Sequence, residues 1–165
     1  MITTGSRADL PDFVELLEEA GAALWARGIH QWPSGLSRWQ LPQLGEQIEA
    51  GELLLVRARD RLVGGCIVTA LVSRLWSDRP PDAACLHKLV VAPHAGGAGL
   101  GIEIAKRAEQ WAHGRGFARL RLDCWDLNAR LRRYYRELGY TELGAASLGD
   151  YQARLFEKSL GEAAG

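Results

Sequence analysis

The spacing of apolar residues predicts two helices in the first third of the chain. Over residues 9–27 apolar side chains return every three or four positions, and Asp9 and Gly28 are suited to begin and end this helix. A shorter helix is predicted over about 38–50 on the same grounds. Its inward positions are expected to be Leu41, Leu44 and Ile48.

Apolar runs bounded by turn residues predict strands in the rest of the chain. These runs cover 52–58, 61–72, 84–92, 118–125, 140–146 and 150–158. Two more helices are predicted between strands, one with an apolar stripe from Leu100 and one that begins at Asp126 or Asn128 and ends at Gly139. With one further strand expected ahead of the first helix, the predicted order is a strand, two helices, three strands, a helix, a strand, a helix and two strands, which indicates an α/β (α+β) fold.

Size and charge narrow the class of protein. At 165 residues, with 47% hydrophobic and 24% charged residues, the chain has the composition of one globular domain. We expect this domain to span 1–160 and the tail at 161–165 to be frayed. Twenty basic residues balance twenty acidic ones, which gives no reason to expect nucleic acid or an anionic membrane as a partner.

The N-terminal residues lack the basic start and apolar core of a signal peptide, and no apolar run reaches the roughly 18 residues of a membrane helix. Cys66, Cys85 and Cys124 lie in apolar runs without CxxC spacing and are interpreted as small buried residues. No metal site is expected. These features predict a soluble cytoplasmic protein, and they leave the oligomeric state open, with a homodimer among the alternatives.

The segment HAGGAGLG, residues 94–101, stands between a predicted strand and a predicted helix, and four of its eight residues are glycine. Bare backbone amides at the positive end of a helix dipole form an anion site, and phosphate is the usual anion. A tight turn alone needs fewer glycines, so phosphate binding is favoured. The P-loop pattern fails because no lysine follows Gly101, and GxGxxG fails because Ile102 or Ile104 stands at its last glycine.

Residues 89–101 resemble the acyl-CoA-binding motif of the GNAT superfamily of N-acetyltransferases, whose usual form is LxVxPxxRGxGxG. The matching positions are Leu89, Val91, Pro93, Gly97, Gly99 and Gly101. Gly96 stands where the family usually has arginine or glutamine, a position that contributes largely through its backbone amide. A second segment, NARLRRYYRELGY, is similar to the family's NxxAxxLYxxxGF and matches it at Asn128, Tyr135, Gly139 and Tyr140.

The resemblance implies a single GNAT-like domain with a central mixed, mostly antiparallel sheet of six or seven strands, flanked by about four helices. It also implies an enzyme that transfers an acetyl group from acetyl-CoA to a primary amine by direct attack in a ternary complex, and we expect a small-molecule acceptor. The alternative is a non-catalytic acyl-CoA-binding or regulatory module on the same fold. The residues expected to bind acetyl-CoA are Leu89, Val90, Val91, Gly96, Gly97, Ala98, Gly99, Leu100, Gly101, Asn128 and Tyr135.

By the same resemblance Tyr135 is expected to protonate the departing thiolate, although its position also suits a core aromatic. The proton of the attacking amine is expected to go to His87, to Asp123 or to water. The acceptor is expected near the first two helices, where an aromatic wall is one interpretation and an ordinary core the other. The acceptor-binding candidates there are Gln31, Trp32 and Trp39. One arginine of the run 130–136 is a candidate partner for the 3′-phosphate of acetyl-CoA.

Overall fold

The computed structural model describes residues 1–31 and 40–162. Its helices are α1 (Leu10–Trp25), α2 (Leu41–Glu49), α3 (Leu100–Gly114) and α4 (Ala129–Glu137). Its strands are β1 (Ile2–Thr4), β2 (Gly51–Ala58), β3 (Arg61–Thr69), β4 (Ala83–Val91), β5 (Arg119–Trp125), β6 (Thr141–Leu148) and β7 (Tyr151–Ser159). The predicted order of strands and helices is confirmed. The predicted acceptor residues Trp32 and Trp39 lie outside the described residues.

The seven strands form one sheet in the order β1-β2-β3-β4-β5-β7-β6. Every neighbouring pair is antiparallel except β4 and β5, so the sheet is mixed and mostly antiparallel, as predicted. The parallel pair is short, because its ladder joins only 83–85 to 119–121. Beyond this point the two strands have no ladder pairs, and a gap opens in the middle of the sheet.

The middle of β4 carries a β-bulge at the edge of this gap. One residue of β3, Cys66, faces two residues of β4, Lys88 and Leu89. Lys88 has a φ of 56°, a left-handed conformation that is uncommon outside glycine. A bulge leaves the extra residue unpaired and bends its strand, so β4 changes direction immediately before the glycine segment.

Two adjacent glycines of β3 allow helices to approach the sheet closely from opposite faces. A Cβ on Gly65 would lie 3.1 Å from the ring of Phe13 in α1, and a Cβ on Gly64 would lie 3.0 Å from Ile104 in α3. Successive side chains of a strand point to opposite faces, so α1 and α3 pack on opposite sides of β3. The main core is therefore continuous through both layers, and Phe13 and Ile104 are fully buried in it.

Two local predictions about the helices are wrong. The Asp9 side chain does not cap α1, because it accepts a hydrogen bond from the backbone N–H of Ser6 at 2.7 Å and completes a capping box around the preceding turn. Leu41 does not point inward, since 39% of it is exposed at the first residue of α2, whereas Leu44 is buried. Gly28 ends α1 as predicted, with a φ of +76°.

Candidate active site

A cavity of about 380 Å³ lies where β4 and β5 separate. The apolar part of its wall comes from α1 and the segment that follows it, with Ala20, Ala23, Leu24 and Ile29. The middle is formed by both strands, with 88–91 on β4 and Asp123 on β5. The far wall comes from α4 and includes Asn128, Tyr134 and Tyr135. The cavity thus passes through the gap in the sheet and connects the two helical layers.

The glycine segment lies beside this cavity and leads into α3. Gly97 and Gly99 have φ values of +83° and +76°, and a Cβ on either would meet no atom within 4 Å. The N–H of Glu103 donates to the carbonyl of Gly99 at 3.2 Å, which is the first hydrogen bond of the helix. The amides of 100–102 therefore have no acceptor within α3, as an anion site at a helix start requires.

Six of the eleven predicted acetyl-CoA residues line the cavity itself. They are Leu89, Val90, Val91, Gly96, Asn128 and Tyr135. The other five, Gly97, Ala98, Gly99, Leu100 and Gly101, follow Gly96 directly in the chain and form the turn and the first residues of α3. Gly101 has an additional packing role, because a Cβ there would lie 2.8 Å from the hydroxyl oxygen of Tyr134.

Tyr135 belongs both to the core and to the cavity wall. Its ring packs edge-on against Tyr134 at 5.5 Å and against Phe156 at 5.6 Å between ring centres. Burial raises the pKa of its phenol above the ordinary value, so the hydroxyl keeps its proton at neutral pH. A neutral phenol at a cavity wall can donate a proton to an anion that forms there.

The two candidate bases differ in their position. Asp123 lines the cavity, where its Oδ2 accepts a hydrogen bond from the hydroxyl of Tyr151 at 3.1 Å. Burial raises the pKa of this carboxyl, while the Tyr151 hydrogen bond and Lys88 lower it. His87 is not among the residues that line the cavity, and burial, with a smaller contribution from Lys88, lowers its pKa to about 4. The geometry therefore favours Asp123 over His87.

Gln31 is the described acceptor candidate, and it lines the cavity on the side of α1. It is buried, and its Oε1 accepts a hydrogen bond from the backbone N–H of Trp125 at 3.0 Å. This bond connects the segment after α1 to the end of β5 across 94 residues of chain. Gln31 thus holds the two sides of the cavity together.

The sequence analysis did not single out Lys88, which lines the cavity beside Asp123. The available signal was a single lysine within the apolar run of β4, but the direction of its side chain depends on the bulge.

Most arginines of the run 130–136 are already paired. Arg132 and Arg136 pair with Glu142 at 2.6 and 2.9 Å, and Arg133 pairs with Glu137. Arg130 lines the cavity, which makes it the arginine best placed for a phosphate.

Other kinds of site are not found in the described part of the chain. Residues 1–31 and 40–162 contain no cluster of three or more His, Cys, Asp or Glu side chains that could hold a metal ion. No helix within the same ranges has the length and apolar character needed to cross a membrane. The thiol of Cys124 is buried, and burial raises its pKa to about 12, which leaves it protonated and a poor nucleophile.

Asn128 caps α4 as predicted, since its side chain accepts a hydrogen bond from the N–H of Leu131 at 3.1 Å. We expect Asn128→Ala to lower the free energy of unfolding by about 1 kcal/mol, because this amide loses its partner. Urea denaturation monitored by circular dichroism measures the change. Asn128→Ser keeps a capping oxygen and should stay close to the unaltered protein; equal losses in both variants would contradict the capping role.

Known proteins resemble this chain over most of its length. Residues 17–140 match the model of the Acetyltransferase (GNAT) family. The chain is 29% identical over 157 residues to the uncharacterized N-acetyltransferase YesJ of Bacillus subtilis, which covers 92% of this chain and 86% of that protein.

Two solved structures share the fold. The ribosomal-protein-S18-alanine N-acetyltransferase from Escherichia coli superposes with a TM-score of 0.73 and 19% identity, over 99% of this chain and 96% of that one. The PaiA N-acetyltransferase from Thermoplasma acidophilum, solved with coenzyme A, gives 0.73 and 18% identity, over 96% and 98%. Because the family model spans both motifs and the cavity between them, the chain belongs to the GNAT family of acetyltransferases.

Proposed function

We propose that the protein transfers an acetyl group from acetyl-CoA to the primary amine of a small-molecule acceptor, by direct attack in a ternary complex. One observation carries the proposal: the phenol of Tyr135, the carboxylate of Asp123 and the strand that leads into the glycine segment all line the same cavity. The volume of about 380 Å³ lies in the range of about 300–1,000 Å³ that is usual for small-ligand pockets, and the acceptor would share it with the thioester end of acetyl-CoA.

The residues present fit acetyl-CoA. Its pyrophosphate would bind the free amides at the start of α3, where Gly97 and Gly99 leave open space. The residues of β4 after Cys85 have no strand partner on the side of β5, so their backbone groups are available to the pantetheine amides. The coenzyme supplies the acetyl group as a thioester, and Arg130 at the cavity wall is available to its 3′-phosphate.

Two proton transfers accompany the acetyl transfer. The amine nitrogen bonds to the thioester carbon, the carbon–sulfur bond breaks, and the sulfur leaves with its electron pair. Asp123 accepts a proton from the amine, directly or through water, and its raised pKa makes it a better base than an exposed aspartate. Tyr135 holds a proton that it can give to the departing sulfur. The buried thiol of Cys124 argues against a covalent intermediate on the enzyme.

Binding of acetyl-CoA is the first test. At a concentration one hundred times Kd, a ligand that binds only the folded state adds about 2.7 kcal/mol of stability, which corresponds to a Tm increase of about 5–10 °C for a chain of this size. Differential scanning calorimetry measures it. S-acetylpantetheine, which lacks the pyrophosphate, should give little increase. No Tm change and no calorimetric binding with acetyl-CoA at millimolar concentration would overturn the proposal.

A further inference from the structure

Lys88 places a cation in the cavity without a partner. It is half-buried at the cavity wall, and its ammonium makes no ion pair with any carboxylate in the described part of the chain. Burial lowers its pKa to about 8, and the negative charge of Asp123 partly opposes this shift. At pH 7 the Lys88 ammonium is therefore still mostly charged, and this charge has no carboxylate within ion-pair distance among the described residues.

The backbone at Lys88 is also unfavourable. A left-handed φ of 56° strains the backbone of a residue other than glycine, and such residues concentrate at functional sites. Burial of an unpaired ammonium adds a further cost. A neutral residue at this bulge would avoid the cost of burying a charge. The ammonium therefore does not contribute to folding stability, which points to a role in binding.

Asp123 is the complementary group on the other strand. Among the described residues it is the one carboxylate that lines the cavity, and the hydrogen bond that the structure gives it comes from the neutral hydroxyl of Tyr151. Lys88 and Asp123 are close enough to shift each other's pKa, yet they lie beyond ion-pair distance. A ligand with one positive and one negative group would satisfy both.

We propose that Lys88 and Asp123 form the acceptor subsite for a zwitterion, an amino acid whose amine binds at Asp123 and whose carboxylate binds at Lys88. The apolar residues Ala23, Leu24 and Ile29 on the adjoining wall indicate an apolar side chain on this amino acid.

The inference rests on the proposed acetyl transfer. The bound ammonium first gives one proton to Asp123. The neutral amine nitrogen then bonds to the thioester carbon and loses a second proton as the carbon–sulfur bond breaks, while Tyr135 protonates the sulfur, which leaves as the CoA thiol, and regains its proton through water. One proton is released overall, and the product keeps only the carboxylate charge.

The residues around Lys88 favour a role in binding the acceptor over a role in binding the coenzyme. The charge of Asp123 raises the pKa of Lys88, and Asp123 accepts a hydrogen bond from Tyr151, which also hydrogen-bonds with the acceptor candidate Gln31. The amides at the start of α3 and Arg130 on α4 are separate anion-binding groups for the phosphates. A coenzyme role for Lys88 is one outcome of the experiment.

The experiment compares three acceptors on three proteins. Free thiol release from acetyl-CoA is measured with leucine, leucinamide and 3-methylbutylamine, which share a side chain and differ in the carboxylate. The proteins are the unaltered chain, Lys88→Met and Lys88→Arg. Kd for acetyl-CoA is measured for each by calorimetry. The quantity compared between proteins is the ratio of kcat/KM for leucine to that for each analogue, so that differences in amine basicity cancel.

We expect Lys88→Met to lower the ratio of kcat/KM for leucine to kcat/KM for each analogue about 10- to 100-fold, which is the effect of one lost hydrogen bond to a charged group. Lys88→Arg should restore most of it. Equal ratios in the unaltered protein and in Lys88→Met, or no turnover of leucine while amines without a carboxylate are acetylated, would overturn the subsite and leave acetyl transfer standing. A tenfold weaker Kd for acetyl-CoA in Lys88→Met would assign the ammonium to the coenzyme and also overturn it. Absence of acetyl-CoA binding in the unaltered protein would instead remove the proposed function.

Discussion

Substitution of Gly99 by valine is expected to abolish acetyl-CoA binding. Gly99 immediately precedes α3 with a φ of +76°, and no atom lies within 4 Å of the place where its Cβ would be. A branched side chain would occupy that space and strain the turn. Loss of two charge-assisted hydrogen bonds, each about 1.5–3 kcal/mol, raises Kd by roughly 100-fold or more. Titration calorimetry with acetyl-CoA measures this change.

Gly116 provides the matched control for this experiment. It follows the other end of α3 with a φ of +85°, and a Cβ there also meets no atom within 4 Å. Gly116→Val therefore imposes a similar backbone strain far from the first turn of the helix. We expect it to lower Tm and to leave Kd for acetyl-CoA unchanged. If both variants weaken binding equally, the loss reflects general destabilisation and the glycine segment is not the phosphate site.

Tyr135→Phe is expected to reduce kcat by about 10²- to 10⁴-fold, the usual contribution of a general acid. The substitution removes only the hydroxyl, so the ring can keep its packing against Tyr134 and Phe156. Tm should therefore change little. The rate must be measured where the chemical step limits turnover, with an acceptor that the unaltered protein acetylates.

Tyr140→Phe is the control for loss of a buried phenol. Its ring packs edge-on against Tyr135 at 5.9 Å, but its hydroxyl donates to Glu109 of α3 at 3.1 Å and does not line the cavity. We expect a lower Tm and a nearly normal kcat. Undiminished kcat in Tyr135→Phe would remove Tyr135 from the mechanism, while the assignment of acetyl-CoA to the glycine segment would remain.

The order of helices and strands could be predicted from the sequence because it depends on local signals. Periodicity and glycines at chain reversals mark the elements, and Gly28 and Gly139 end α1 and α4 with positive φ values, as their positions suggest. The exposure of Leu41 and the side-chain partner of Asp9 could not be predicted in this way. The Asp9 bond depends on how a helix begins, where several polar groups compete for the same amides. The exposure of Leu41 depends on how the first turn of α2 lies against the core, which is a tertiary property.

Most of the candidate site could be predicted from the two family motifs, and Asp123 and Gln31, which also line the cavity, are among the candidates named outside them. Asn128 and the glycine segment lie in such motifs, and the structure gives Asn128 the capping bond expected of it. The hydrogen bond of Asp123 with Tyr151 joins residues 28 positions apart on neighbouring strands. The bulge that directs Lys88 depends on the register of β3 with β4. Contacts of this kind arise from tertiary pairing and leave no periodic signal in the chain.

The short pairing of β4 with β5 has a consequence for how acceptor preference can diverge. The part of the chain that precedes β4 provides α1 and the apolar wall of the cavity. The part that begins with β5 provides Asp123, Asn128 and Tyr135. The groups assigned to proton transfer and those assigned to recognition of the acceptor body are therefore encoded in separate stretches of the chain. Exchange of the stretch that encodes α1 between relatives is expected to transfer the preference for the acceptor's apolar side chain, and the chemistry would be retained by the half that was not exchanged.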